Sequence, residues 1–170
     1  MKNLIPYWRV LLETSLFAVA LIILYCLVFY YLGVLPLGGK KAPSFVLVLI
    51  LQFLLVKKIF KWDSNHFLKI FLFQYIYILL VAIGSSLFLY YFYLSDMGMS
   101  VLNEYIQLSV SELQQYKVVI IEQEGLEYYK MLLNGINGID AGSIAKDDFT
   151  QKIVLAFLPN LLFSLYFKKN

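Results

Sequence analysis

Histidine and cysteine each occur once in this chain, as His66 and Cys26. One cysteine excludes an internal disulfide and a cysteine-based metal site, and within an apolar run Cys26 reads as a small hydrophobe. His66 follows Asp63 and Asn65 in a short polar stretch. A general base needs a substrate pocket and a partner, so His66 reads as a surface-turn residue. Charge is scarce as well, at 15% of the sequence against roughly 25% in a soluble domain. The net charge of +3 is no nucleic-acid signal, because the basic residues stand in pairs beside apolar runs. Residues 33–40 match the phosphate-binding pattern G-x-x-x-x-G-K-[ST] only at Gly33 and Gly38; Gly39 stands where lysine is required, and Lys40 where serine or threonine is. Asn134, Asn137 and Asp140 offer oxygen donors in a glycine-rich stretch but miss the calcium-loop spacing. The expectation is a non-enzymatic chain with no cofactor, no metal and no nucleic-acid partner.

What the chain has in abundance is apolar surface. Hydrophobic residues make up 61% of 170, and the mean hydropathy is +0.75. A soluble domain of this composition would expose patches large enough to drive association, so lipid is its natural solvent. Residues 10–32, 43–62, 67–94 and 149–167 form four apolar runs. A helix rises 1.5 Å per residue and a hydrocarbon core is ~30 Å thick, so each run reads as a transmembrane helix. The first is too long for the apolar part of a cleaved signal peptide. Gly33, Pro36, Gly38 and Gly39 form a turn after it, and Pro43 suits the start of the second helix. Asp63, Ser64 and Asn65 form the next turn, and Asp147 and Asp148 are the expected caps of the fourth helix.

Residues 95–148 differ in character, with nine acidic residues and three lysines for a net charge of −6. Leu102, Ile106, Val110, Leu113, Tyr116 and Ile120 recur every three or four positions, as on one helix face. Leu126, Tyr129, Leu133 and Ile136 continue the spacing until Gly135, Gly138 and Gly142 interrupt it. This predicts a long amphipathic helix, a shorter one and a flexible loop. Orientation follows from lysine and arginine in short loops and helix flanks. With the N-terminus inside, Lys2, Arg9, Lys57, Lys58, Lys61, Lys69, Lys168 and Lys169 collect on the cytoplasmic side. Tyr7, Trp8, Trp62 and Tyr166 then mark the inner interface, and Tyr30, Tyr31 and the Tyr90–Tyr93 run the outer one. The predicted fold class is an all-α membrane protein with about four transmembrane helices, both ends cytoplasmic. Residues 1–94 hold three spans, 95–148 an extracytoplasmic amphipathic segment, and 149–170 the fourth span with a basic cytoplasmic end.

This layout closes on Leu161, Leu162, Phe163, Ser164, Leu165, Tyr166, Phe167, Lys168 and Lys169. It resembles the domain-of-unknown-function family 4199, small four-span membrane proteins of Bacteroidota. The resemblance covers nearly the whole chain and lies in layout more than in motif; Val118–Ile121 is more apolar here than the family layout. It implies a bacterial inner-membrane location. It implies no activity, and no residue inherits a role from it.

Polar residues inside spans are the first place to seek function in a membrane protein. Here they are Glu13, Gln52, Gln74, Ser85, Ser86, Asn160 and Lys152. Arg9 and Glu13 are four apart and can pair on one helix face. Gln52, Gln74 and Asn160 can hydrogen-bond between helices, and Gly84, Ser85 and Ser86 let another helix approach closely. Pro159 and Asn160 interrupt the last span, where neighbours must satisfy the freed backbone. Leu102, Ile106, Val110, Leu113 and Ile120 make a face that packs on the protein or lipid surface, or docks a partner. The expected partners are membrane lipid and other membrane proteins or a second copy of the chain. The function expected is an accessory, scaffolding or regulatory subunit of a larger membrane assembly. The alternatives are a small oligomeric transporter or channel, and a part of, or accessory to, a lipid- or polyprenol-handling enzyme.

Overall fold

The computed structural model describes residues 4–35, 37–60 and 66–168. The expectations at Lys2, Pro36, Lys61, Trp62, Asp63, Ser64, Asn65 and Lys169 lie outside the described residues. Every regular element described is helical: α1 (Leu4–Tyr31), a 3-10 turn (Gly38–Lys41), α2 (Ala42–Ile59), α3 (Phe67–Leu94), α4 (Asp96–Gln115), α5 (Lys117–Glu124), α6 (Leu126–Asn137) and α7 (Ala141–Phe167). Four stretches are long and apolar enough to cross a membrane: Tyr7–Tyr31, Ala42–Ile59, Phe67–Leu94 and Ala141–Phe167. The all-helical, four-span expectation holds. At 18 residues, α2 measures about 27 Å and only just matches a hydrocarbon core.

The chain divides into two compact units, Met1–Leu87 with Lys146–Asn170, and Phe88–Ala145. In the first, α1 turns Leu11, Ser15, Ala18, Ile22 and Cys26 inward, a three-and-four spacing that keeps one stripe on one face. They pack with Val48 and Leu55 of α2, Tyr77, Ile78 and Val81 of α3, and Ala156 of α7. A second cluster joins Val56, Phe60, Ile70 and Phe167, with Phe53, Phe73 and Phe163 against it. Large apolar side chains such as Leu16, Val46, Leu72, Leu158 and Leu162 stay exposed on the outside of these helices, as a lipid solvent permits. Arg9 Nε donates to Glu13 Oε1 at 2.7 Å, on an exposed face, where such a pair contributes little.

In the second unit, Ser95 alone separates α3 from α4. Its Oγ accepts from the Gly98 amide at 3.2 Å and donates to the Phe92 carbonyl at 2.6 Å. Such a cap replaces the missing bonds of a helix start. The turn is so tight that a Cβ on Gly98 would collide with the Phe92 carbonyl oxygen. Helix α4 packs on α6 and α5 on α6, and Lys117 Nζ sits 5.6 Å from the ring centre of the buried Tyr129. Gly125 joins α5 to α6 at φ +91°, a left-handed conformation that favours glycine.

Three expectations about this segment need correction. The single long helix is broken at Tyr116, between α4 and α5. The glycine-rich stretch is helical, with Gly135 inside α6 and Gly142 inside α7. Helix α7 starts at Ala141, not 149, and its cap is Asp140: the Ser143 amide donates to Asp140 Oδ1 at 2.7 Å, and the Asp140 amide to Ser143 Oγ at 2.8 Å. This reciprocal box satisfies two helix-start donors, and hydropathy misses it because the first turns of α7 are polar. The second span is also shorter than expected, ending at Ile59.

Gly98→Ala is expected to destabilise the second unit by about 3 kcal/mol, since backbone rather than a flexible side chain blocks the new methyl. Faster amide exchange across α4 and α6 checks this. The hydrogen bonds from Ser143 hold the Asp140 carboxyl below its ordinary range. A depressed folded value makes the capping contribution complete above the unfolded carboxylate range and lost as pH falls through the folded value. Protection of the Ser143 and Ile144 amides, measured against their intrinsic exchange, should therefore fall on acidification, and Asp140→Ala should abolish that pH dependence.

Candidate functional site

A run of polar residues lines the buried face of α7. Asp148, Lys152, Ala156, Asn160 and Ser164 follow one another at four-residue spacing, and each is at most 5% exposed. Residues four apart are close neighbours on a helix face, but each step drifts about 40°, so the stripe winds around α7 and different helices cover its two ends. These residues meet Ser44 and Gln52 of α2 and Gln74, Tyr77 and Ser85 of α3, all buried.

The first polar group stands where α2 begins. Lys41, the residue before α2, and Lys152 both donate to Asp148 Oδ1, the second at 2.5 Å. Ser85 Oγ donates to Asp148 Oδ2 at 2.7 Å. Ser44 Oγ closes the turn on the Lys41 carbonyl at 2.7 Å, and Tyr25 Oη donates to the Lys40 carbonyl at 2.9 Å. The Lys41, Asp148 and Lys152 side chains are 14%, 4% and 6% exposed. Two ammonium groups thus share one carboxylate in a nearly dry place. The positive end of the α2 dipole adds to the cationic side, and among the described residues Asp148 is the negative group paired with both ammonium groups, which makes the arrangement tolerable.

The second group sits about two to three turns further along α7. Gln52 Nε2 donates to Gln74 Oε1 at 2.8 Å and to Asn160 Oδ1 at 2.5 Å. Gln74 Nε2 donates to Ser164 Oγ at 2.7 Å and to the Asn160 carbonyl at 3.3 Å, and Ser164 Oγ donates to the same carbonyl at 2.6 Å. Gln52 Oε1 and Asn160 Nδ2 are buried without a partner. Between the two groups, Tyr77 Oη donates to the Val48 carbonyl at 3.3 Å.

Of the residues singled out in the sequence, Gln52, Gln74 and Asn160 come together across three helices. Ser85 joins the ion cluster instead. Gly84 faces α1, where a Cβ would stand 2.9 Å from Val19 Cγ2. Ser86 is half-buried and bonds back to the Ile83 carbonyl at 3.1 Å. Pro159 lies inside α7, where it leaves the Leu155 carbonyl without its helical donor. On α4, Leu102 is buried and Ile106, Val110 and Leu113 are half-buried; Ile120 on α5 is half-buried too. The expected docking face is thus partly exposed, with Leu102 its one buried member. The exposed apolar residues of this unit are others, Leu108, Val118, Val119, Leu126 and Met131 among them. Sequence reasoning missed the ion cluster. Lys41 reads as a loop lysine and Asp148 as a cap, although the four-residue spacing of Asp148 and Lys152 beside an apolar run was a usable signal. No protein-family model, no curated protein and no solved structure matches this chain.

Asp148→Ala leaves two buried ammonium groups unpaired and should cost about 3–5 kcal/mol. Gln74→Leu removes hydrogen bonds between neutral groups in a membrane interior and should cost about 1 kcal/mol. Unfolding titrations in mixed micelles check both, and equal losses would contradict this ranking of the two groups.

Proposed function

We propose that the chain is a non-enzymatic subunit of a larger membrane assembly, anchored by its four spans and recognising a partner through its acidic helical segment. One observation carries this reading. Helices α5 and α6 expose Val118 (66%), Met131 (59%), Val119 and Leu126, while the same two helices carry Glu122, Glu124 and Glu127. Exposed apolar side chains are costly to leave in water, and the three glutamates, against Lys117 and Lys130 on the same helices, leave a negative balance that disfavours an anionic lipid surface. They suit a protein face that is apolar with basic residues at its rim. Expected orientation makes this an extracytoplasmic contact. The likeness in layout to family 4199 adds a bacterial inner-membrane location to the proposal and no residue role.

A second reading, a small oligomeric transporter, is favoured by the α7 seam. Gln52 Oε1 and Asn160 Nδ2 offer an acceptor and a donor inside the bundle, groups of the kind that hydrogen-bond a small polar solute.

Purification from native membranes in mild detergent, followed by mass spectrometry, separates the two. The subunit reading expects a stoichiometric partner that Val118→Ser with Met131→Ser releases, while the thermal midpoint stays unchanged. A clean homo-oligomer, with solute flux in vesicles that Asn160→Leu abolishes, would replace it with the transporter reading.

A further inference from the structure

The geometry points to a phosphate-binding site at the start of α2, taking the anionic headgroup of a phospholipid or a soluble phosphate compound. This inference is independent of the subunit reading. The cluster of Lys41, Lys152 and Asp148 carries two positive charges and one negative. Its Lys152 side chain is 6% exposed, so the surplus charge is poorly served by water, and an uncompensated charge in such a place is expensive. One carboxylate offsets one of the two positive charges: Oδ1 takes both ammonium groups, and Oδ2 takes Ser85. What the cluster lacks is a second anion.

There is a place for one. A pocket beside the cluster, about 30 Å³ in volume, is lined by Lys41, Ser44, Asp148, Gln151 and Lys152, with Ala42, Phe45 and Leu155 as apolar neighbours; the Asp148 carboxylate that borders it is already paired with both ammonium groups. The space is of about one water's size, and the exposed Gln151 and half-buried Lys41 put its mouth at the surface, so a phosphate would rest over the mouth and not inside it. Ammonium groups bind phosphate as point charges through charge-assisted hydrogen bonds. Depth favours a lipid source. Ala42 begins a span, so the pocket stands at headgroup level. Leu155, 55% exposed on α7, borders it with an apolar surface suited to an acyl chain.

The test uses the full chain in uncharged detergent at low salt, titrated with phosphatidylglycerol, with an uncharged galactolipid of matched chains, and with inorganic phosphate. The thermal midpoint and the number of retained lipids by native mass spectrometry are the readouts. Phosphatidylglycerol should raise the midpoint and remain bound, and the galactolipid should do neither. Lys41→Gln leaves the Lys152–Asp148 pair neutral and intact, and should weaken lipid binding about tenfold, as loss of one charge-assisted hydrogen bond implies. Asp148→Asn raises the surplus charge and should tighten binding. A purely structural cluster would lower stability in both variants with no change in lipid response. A response to phosphatidylglycerol alone assigns the site to a lipid, and an equal response to inorganic phosphate assigns it to a soluble phosphate compound. Equal effects of phosphatidylglycerol and the galactolipid, or unaltered binding in Lys41→Gln, overturn the proposal. Should Asp148→Asn fail to fold, the wild-type lipid comparison and Lys41→Gln decide alone.

Discussion

The Asp148 carboxylate must be neutralised inside an apolar protein, and much of the four-span unit follows from that requirement. An isolated carboxylate out of water is far too costly to keep, so cations and donors have to come to it. They come from three separate places in the chain: Lys41 before α2, Ser85 on α3 and Lys152 one turn further along α7. Bringing them in fixes which faces of α2, α3 and α7 look inward. A stripe at four-residue spacing drifts by about 40° per step on a helix of 3.6 residues per turn. The inward face of α7 therefore winds as it runs from Asp148 to Ser164, meeting Ser85 first, then Gln52 and Gln74. Phe167, the next buried residue, joins the aromatic cluster with Phe60 and Phe73 packed nearby.

The two polar groups on this seam differ in physical kind. The amide and hydroxyl network of Gln52, Gln74, Asn160 and Ser164 is neutral, and bonds of this type add modestly to helix association in membranes. They select a register more than they supply stability. The ion cluster is charged and asymmetric, so breaking it is expensive and its surplus charge can be answered from outside. One group therefore reads as a fastening and the other as a receptor. The acidic second unit follows a different rule. Its helices turn Leu102 and Tyr129 inward, and its entry depends on a glycine, Gly98, pressed against the Phe92 carbonyl.

Much of this was legible in advance, and the exceptions have physical causes. Composition and run length are enough to read an all-helical chain with four spans, because lipid leaves few ways to satisfy the backbone of a crossing segment. The third span, residues 67–94, coincides with α3. The polar trio Gln52, Gln74 and Asn160 stood out as polar in apolar runs. The start of α7 was hidden, since its first turns carry Asp147, Asp148 and Lys146, and hydropathy cannot tell a polar helical turn from a loop. Gly98 was hidden because a close backbone approach leaves no mark in composition.

Sequence alone determined the helical class, the apolar spans and the amphipathic spacing of α4, all of which depend on neighbours within a few residues along the chain. Only the tertiary structure decided what those polar residues do. Lys41 and Asp148 are 107 positions apart, and Gln52 and Asn160 are 108 apart. No local pattern encodes which distant partner a polar side chain will find, because that depends on how whole helices rotate and settle to keep charge out of lipid.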